Sequence, residues 1–472
     1  MVKITKDQIL RAIIFSTAIE IICYIKSYDL YSLTIKLKNK LKSNICFMFN
    51  SKNIKNKIQS KIKEIERKNS KVLILTDIDE LDKYHPQIYH NDYSKSLEKN
   101  FNNIYDKKDI DLILHTKGGD FYSVDTIIKL LSKHKSKNKI NVYVPYYALS
   151  AGTHISLYGD TINITPYSLL SPIDNQYKYG DFFPGKFLIK NNLFEKDDEL
   201  LYINSINEIK GLDNHNSEKI LENLMLKFGH NMGFTYQDFR FFGIKNLNLS
   251  IDSKIFELMN LLFGINNTKN TKFKKFIENI ERKNSSKIFV VKKCLDLVIF
   301  LNNIKTKDIN YDKLEIFCQF ADIYGILTII NIMKSYKGSV NIYPTFENEK
   351  ISKHYLLLLL SNKKIYFNKN HIFFNTLPKF PNFCDGRKNV EISLYHDILK
   401  QYKSDIEFIF NSSEYEATNK KKIKQILESS DPYFEDNIRN ANILNLECLE
   451  DEDIIKISKM IISDESKIKR LF

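Results

Sequence analysis

The chain has 472 residues, 43% hydrophobic and 27% charged, the composition of a folded soluble protein with enough core for about three ordinary domains or two large ones. Its net charge of +14 would suit nucleic acid or an anionic surface, but the excess is lysine scattered among isoleucine and asparagine. With no arginine block and no aromatic-interleaved basic stripe, nucleic-acid binding is not expected. Six cysteines, none spaced as Cys-x-x-Cys, argue against a disulfide framework or a zinc site and for a reducing, intracellular compartment.

Residues 1–60 read as helices with basic connectors. Within them Ile9 to Ile25 is the one membrane candidate, interrupted by Arg11 and Glu20 and short of the ~20 clean apolar residues of a span. No small-residue cleavage site follows it, so it is not read as a signal peptide. Two readings stand for it: a membrane-touching anchor, or an amphipathic helix packed on the body. Residues 61–268 open with a charged helix end and the strand VLILT. The buried strand DLILHT, the helix DTIIKLLSKHK and the strand INVYVP follow. Residues 269–472 repeat the plan: FIENIERKNSSKIFVV shares ERKNS with residues 66–70, and LEIFCQ, LTIINIMKSYK and VNIYP follow in the same order. Thr126-Ile-Ile and Thr328-Ile-Ile stand 202 positions apart. The reading is a tandem duplication, each copy an α/β unit with a mostly parallel sheet flanked by helices.

Two strand-to-helix turns in the first copy carry chemistry. Lys117-Gly118-Gly119 follows a buried strand; paired glycines allow a sharp turn and let N–H groups face a pocket, although an ordinary tight turn looks the same. Ala148-Leu149-Ser150-Ala151-Gly152-Thr153 follows the next strand and puts a serine at a helix start. That is an ordinary N-cap when taken alone. Two small-residue turns one strand–helix unit apart can face one crevice, which turns Ser150 into a candidate nucleophile. Neither phosphate-binding glycine pattern is present.

The segments LILHTKGGDFYSVDTIIKLL, VPYYALSAGTHISLYGD and SLLSPIDNQ together resemble the serine dehydrogenase proteinase family, relatives of signal peptide peptidase A and Clp protease. The likeness runs over roughly residues 61–263. It implies tandem Clp/crotonase-like domains, the second degenerate, and a serine-type endopeptidase needing no cofactor or metal. A polypeptide substrate and a homo-oligomer are implied as well. Carried over by position, Ser150 is the nucleophile, and Gly118, Gly119 and Ala151 supply the oxyanion hole. Lys196, 46 positions after Ser150, is the favoured base, with Lys190 and Lys186 behind it. A lysine base must be buried enough to be neutral part of the time. Asp174 reads as a structural turn residue or as an orienting group, His154 as a core or surface residue, and His115 equally as a base or a packing residue. The chain departs from the family at Lys117, Ser171 and Phe234–Asp238.

The second copy has Gln319-Phe320-Ala321 in place of the glycines and Ile351-Ser352-Lys353-His354-Tyr355 in place of the serine turn. It reads as a structural copy, or as one that lends Lys353 or His354 to the first site. Two rivals to a peptidase remain at this point: an inactive scaffold or adaptor of the same fold, and crotonase-type acyl-CoA chemistry.

Overall fold

The apolar, β-branched runs in the first half become parallel strands because both faces of each are covered, which parallel sheets require. A computed structural model of the chain describes residues 56–76, 108–263, 272–305, 313–374 and 388–428, apart from short interruptions, and pieces at 453–458. The chain divides into two compact units, Met1–Lys61 and Ile62–Phe472, and the elements that follow belong to the second. The candidate helix Ile9–Ile25 lies outside the described residues. Among those that are described, no helix is long and apolar enough to cross a membrane.

In chain order the first elements are β1 (Ser70–Thr76), β2 (Asp109–His115), α1 (Phe121–Lys135), β3 (Ile140–Val144) and β4 (Tyr147–Ala148). Helix α2 (Ala151–Ser156), β5 (Thr161–Ile164) and β6 (Leu169–Leu170) follow, then the antiparallel hairpin β7 (Gln176–Tyr179) and β8 (Asp181–Pro184). Helices α3 (Gly185–Lys190) and α4 (Lys196–Lys210) come next. A helical turn, Ser217–Ile220, runs into the π-helical segment Leu221–Lys227. Helix α5 (Tyr236–Phe241), β9 (Leu247–Asn248) and α6 (Ser253–Phe263) complete this half. The sheet order is β1-β2-β3-β5-β9, all parallel, while β4 and β6 form a separate parallel pair. Leu112, Ile113 and Leu114 of β2 are fully buried, each worth about 1.5–3 kcal/mol by its removal from water.

The second half runs α7 (Lys272–Asn284), β10 (Lys287–Val291), α8 (Cys294–Lys305), β11 (Lys313–Cys318), α9 (Ile323–Lys334) and β12 (Ser339–Pro344). Then come β13 (Lys350–Ser352), a 3-10 helix Lys353–Ser361, β14 (Lys364–Ile365), β15 (Ile372–Phe374), α10 (Lys388–Ser412) and α11 (Ala417–Glu428). Its sheet is β10-β11-β12-β14, again parallel, with β13 and β15 as a separate parallel pair. Tyr147 pairs with Leu169 in the first half and Lys350 with Ile372 in the second; both partners are displaced by 203 positions (350 − 147 and 372 − 169).

The halves are packed through two helices. Every residue of α9 from Gly325 to Met333 is buried. Thr328 Oγ1 accepts from the Gly233 N–H at 2.9 Å and Asn331 Nδ2 donates to Gly233 O at 2.9 Å. Helix α10 lies along α3 and the β7–β8 hairpin, where Leu394 packs with Phe183 and Leu188. There Asp397 ion-pairs with Lys190 and accepts from Asn191 Nδ2 at 3.0 Å.

Candidate active site

The two turns singled out from the sequence are fastened together by backbone hydrogen bonds at the strand ends. Thr116 N–H donates to Tyr147 O at 3.1 Å and Leu149 N–H donates to Thr116 O at 2.9 Å, a parallel bridge between Thr116 and Ala148. This brings Gly118 against Ser150: a Cβ on Gly118 would stand 3.1 Å from Ser150 Cβ and 3.6 Å from its Oγ. Gly118 has φ +124°, which side chains with a Cβ rarely adopt, so two independent constraints exclude any larger residue.

Ser150 itself has φ 50° and ψ −111°, an uncommon conformation for a residue with a Cβ, held at the junction of β4 and α2. Three hydrogen bonds fix the turn. Ser150 N–H donates to Ser171 Oγ at 2.7 Å, Ser171 N–H donates to Thr153 Oγ1 at 3.0 Å, and Thr153 Oγ1 donates to Ala148 O at 2.8 Å. The residue is half-buried. Strain at a serine on a strand-to-helix turn is a feature shared with the nucleophile elbows of serine hydrolases.

Of the expected oxyanion donors, Ala151 is the first helical residue of α2, where the N–H has no intrahelical acceptor. The Gly118 N–H is different: it donates to Thr116 Oγ1 at 3.0 Å, and that hydroxyl in turn donates to Gly118 O at 3.0 Å. Thr116 thus occupies the donor assigned to Gly118, and Gly119 with Ala151 are the remaining candidates.

The candidate bases separate by burial. Lys196, the base favoured by spacing, is exposed at the start of α4. Lys190 is also exposed and is paired with Asp397. Lys186 is buried, and desolvation holds its ammonium below the usual lysine range against the opposing pull of Asp174 and Asp405. Its Nζ donates to Phe228 O at 2.8 Å and to Gln401 Oε1 at 2.9 Å, and lies 3.9 Å from Asp174 Oδ2. Asp174, three residues after the serine that holds the Ser150 amide, is fully buried and its carboxyl is pushed up to about 7 by burial, opposed by Lys186. His115 and His154 are buried and burial pushes them down to about 3 and about 4. The His115 ring centroid lies 4.0 Å from that of Tyr147 with the rings tilted, and His154 Nε2 lies 3.6 Å from Glu208. In the second half His354 Nδ1 is hydrogen-bonded to Ser352 Oγ at 2.9 Å and its Nε2 meets Tyr402 OH, an engagement within its own half. The Lys353 side chain lies outside the described residues.

Gln401, Asp405, Tyr324 and His230 join this cluster without having been singled out from the sequence. The first three come from the second half, more than 130 positions from Lys186 (324 − 186), and no local pattern links them to it. His230 lies within residues 61–263, the stretch that resembles the family, which was the available signal.

The family model for ClpP-like SDH-type serine proteinases matches residues 47–287, just over half of the chain. The chain belongs to this family. An uncharacterized protein of Methanocaldococcus jannaschii, MJ0137, is 27% identical over 173 residues, 33% of this chain and 58% of that protein. The match therefore spans little more than half of the relative's length. Among solved structures, a mutant of the 1510-N membrane-bound stomatin-specific protease aligns with 15% identity over 42% of this chain and 86% of that one, at a TM-score of 0.29. ClpP1 from Listeria monocytogenes aligns with 14% identity over 42% of this chain and 96% of its own, at a TM-score of 0.25. Membership of the ClpP-like proteinases fits the mixed α/β architecture with parallel sheets described above.

Proposed function

We propose that the chain is a serine peptidase in which Ser150 attacks the substrate carbonyl and the buried Asp174–Lys186 pair accepts its proton. The observation that carries this reading is the strained φ of Ser150 directly against Gly118, a cost of roughly 1–3 kcal/mol that an ordinary helix cap does not require. Bond formation between Ser150 Oγ and the carbonyl carbon drives charge onto the carbonyl oxygen, where the Gly119 and Ala151 N–H groups would stabilise it. The pair returns the proton to the leaving amine, and water then hydrolyses the acyl-enzyme. Asp174 and Lys186 are close enough to titrate as one unit, the carboxyl raised and the ammonium lowered. In the unliganded chain Lys186 rests on Phe228 O and Gln401, and the reading requires one of those bonds to be exchanged as substrate enters.

The matching strand orders and the constant displacement near 202–203 positions support the further reading of the halves as tandem copies, the second degenerate. A polypeptide substrate and homo-oligomeric assembly belong to the same proposal. Among the described residues no lysine or histidine is hydrogen-bonded to Ser150 Oγ, and this favours a second reading, a non-catalytic adaptor on the same fold. A fluorophosphonate probe separates the two. Labelling that Ser150→Ala abolishes supports the peptidase; a folded chain that takes no label supports the adaptor.

A further inference from the structure

We propose, resting on the reading that Asp174 and Lys186 serve Ser150, that helix α10 of the second half is the positioning element of that pair, through Gln401 and Asp405. Gln401 is held at both ends of its amide. Its Oε1 accepts from Lys186 Nζ at 2.9 Å, while its Nε2 donates to Asp405 Oδ1 at 2.8 Å and to Lys227 O. A flipped amide would set an NH2 group against the ammonium, so these partners admit one orientation. Asp405 is anchored in turn: it accepts from Gly229 N–H at 3.2 Å and from Tyr324 OH of α9 at 3.1 Å. Gly229 is required by this arrangement, since a Cβ there would stand 2.4 Å from the Tyr324 hydroxyl and 2.7 Å from Asp405 Oδ2.

The other face of the pair is the end of the π-helical segment. The carbonyls of Lys227 and Phe228 emerge at a helix C-terminus, where the backbone offers unpaired acceptors to a cation, and they are taken by Gln401 and Lys186. The charged and titratable groups facing Lys186 and Asp174 come from every surrounding element. They are Asp405 on α10, Tyr202 on α4 and His230 after the π-helical segment, with Tyr324 of α9 against Asp405. The Lys190–Asp397 ion pair lies one turn along the same two helices. Such a buried ionic cluster is weak support for stability, because apolar residues of similar size often pack as well. A positioning role gives its membership a purpose: Gln401 sets the distance and orientation of the ammonium, and Asp405 sets its local field.

Gln401→Glu keeps the shape and places a carboxylate at the 2.9 Å acceptor position; Asp405→Asn keeps the shape and removes a charge. Two readouts are needed. Trace acetylation of Lys186 by acetic anhydride, followed by mass spectrometry across pH, reports its titration without catalysis. The pH dependence of fluorophosphonate labelling reports Ser150. Both curves are expected to move to higher pH by about one unit or more in Gln401→Glu and to lower pH in Asp405→Asn. Asp397→Asn, which loosens the same helix pair without touching Lys186, is expected to leave the Lys186 titration in place. A Lys186 titration unmoved in both variants overturns the proposal and leaves α10 a structural strap. A titration that moves while the Ser150 curve stays fixed overturns the claim that the pair serves Ser150. If wild-type Ser150 takes no label, the peptidase reading fails by itself, and the Lys186 titration alone still decides whether α10 positions the pair.

Discussion

The Ser150 amide donates to Ser171 Oγ at 2.7 Å, so Ser171→Ala leaves a donor unpaired at a turn that already carries strain. The expected loss is about 1–3 kcal/mol in denaturant unfolding, together with slower labelling of Ser150. Gly118→Ala is more severe for activity, since the new Cβ meets Ser150 Cβ at 3.1 Å and the backbone cannot keep φ +124°. Labelling should fall by about 100-fold or more, the scale of losing an oxyanion donor, because the displaced backbone carries the adjacent Gly119 N–H with it, while far-ultraviolet circular dichroism stays that of the folded chain. At this scale the sequence revealed the serine and the glycine pair, because small residues at strand ends are a local pattern. It did not reveal that Thr116 would occupy the Gly118 N–H, which depends on a side-chain rotamer. Nor could spacing choose among lysines: Lys196 fits by count and is exposed, whereas Lys186 is buried.

At the scale of elements, the strands were legible because their apolar, β-branched runs have only one way to be buried on both faces. Helix α10 was not: its own sequence, KNVEISLYHDILKQYKSDIEFIFNS, says that it is amphipathic but not what it packs on. The answer is α3 and the β7–β8 hairpin, with Leu394 fully buried against Phe183 and Leu188. Leu394→Ala should cost about 2–5 kcal/mol in urea unfolding, the range for an emptied leucine site. A fall below about 1 kcal/mol would mean that the helix contributes little to the fold there. The π-helical segment was equally hidden, since LENLMLK reads as ordinary helix and only the tertiary setting of its last carbonyls distinguishes it.

Across the molecule, buried titratable groups pull stability in opposite directions with pH. Burial raises Asp174 and Asp405 to about 7, so their contribution is fully present below the unfolded carboxyl range and is lost as pH rises through about 7. Burial lowers His115 to about 3 and His154, His230 and His354 to about 4. Their contribution is present above the unfolded histidine value and is lost as pH falls through those numbers. The double variant Asp174→Asn/Asp405→Asn should therefore remove the decline toward pH ~8 and leave a steeper loss on acidification, read from urea midpoints at several pH values. An unchanged slope above pH ~6 would show that these carboxyls are not the source.

The bond between Lys186 and Gln401 joins residues 215 positions apart. During synthesis at about 5–20 residues per second, roughly 10–40 s separate the appearance of the two. Throughout that interval Asp174 and Lys186 have been synthesised and Gln401 has not, so the pair proposed to serve Ser150 waits for its support. On the proposed function, a nascent chain gains the support of its proton acceptor only after α10 has been made, a delay written into the order of the sequence.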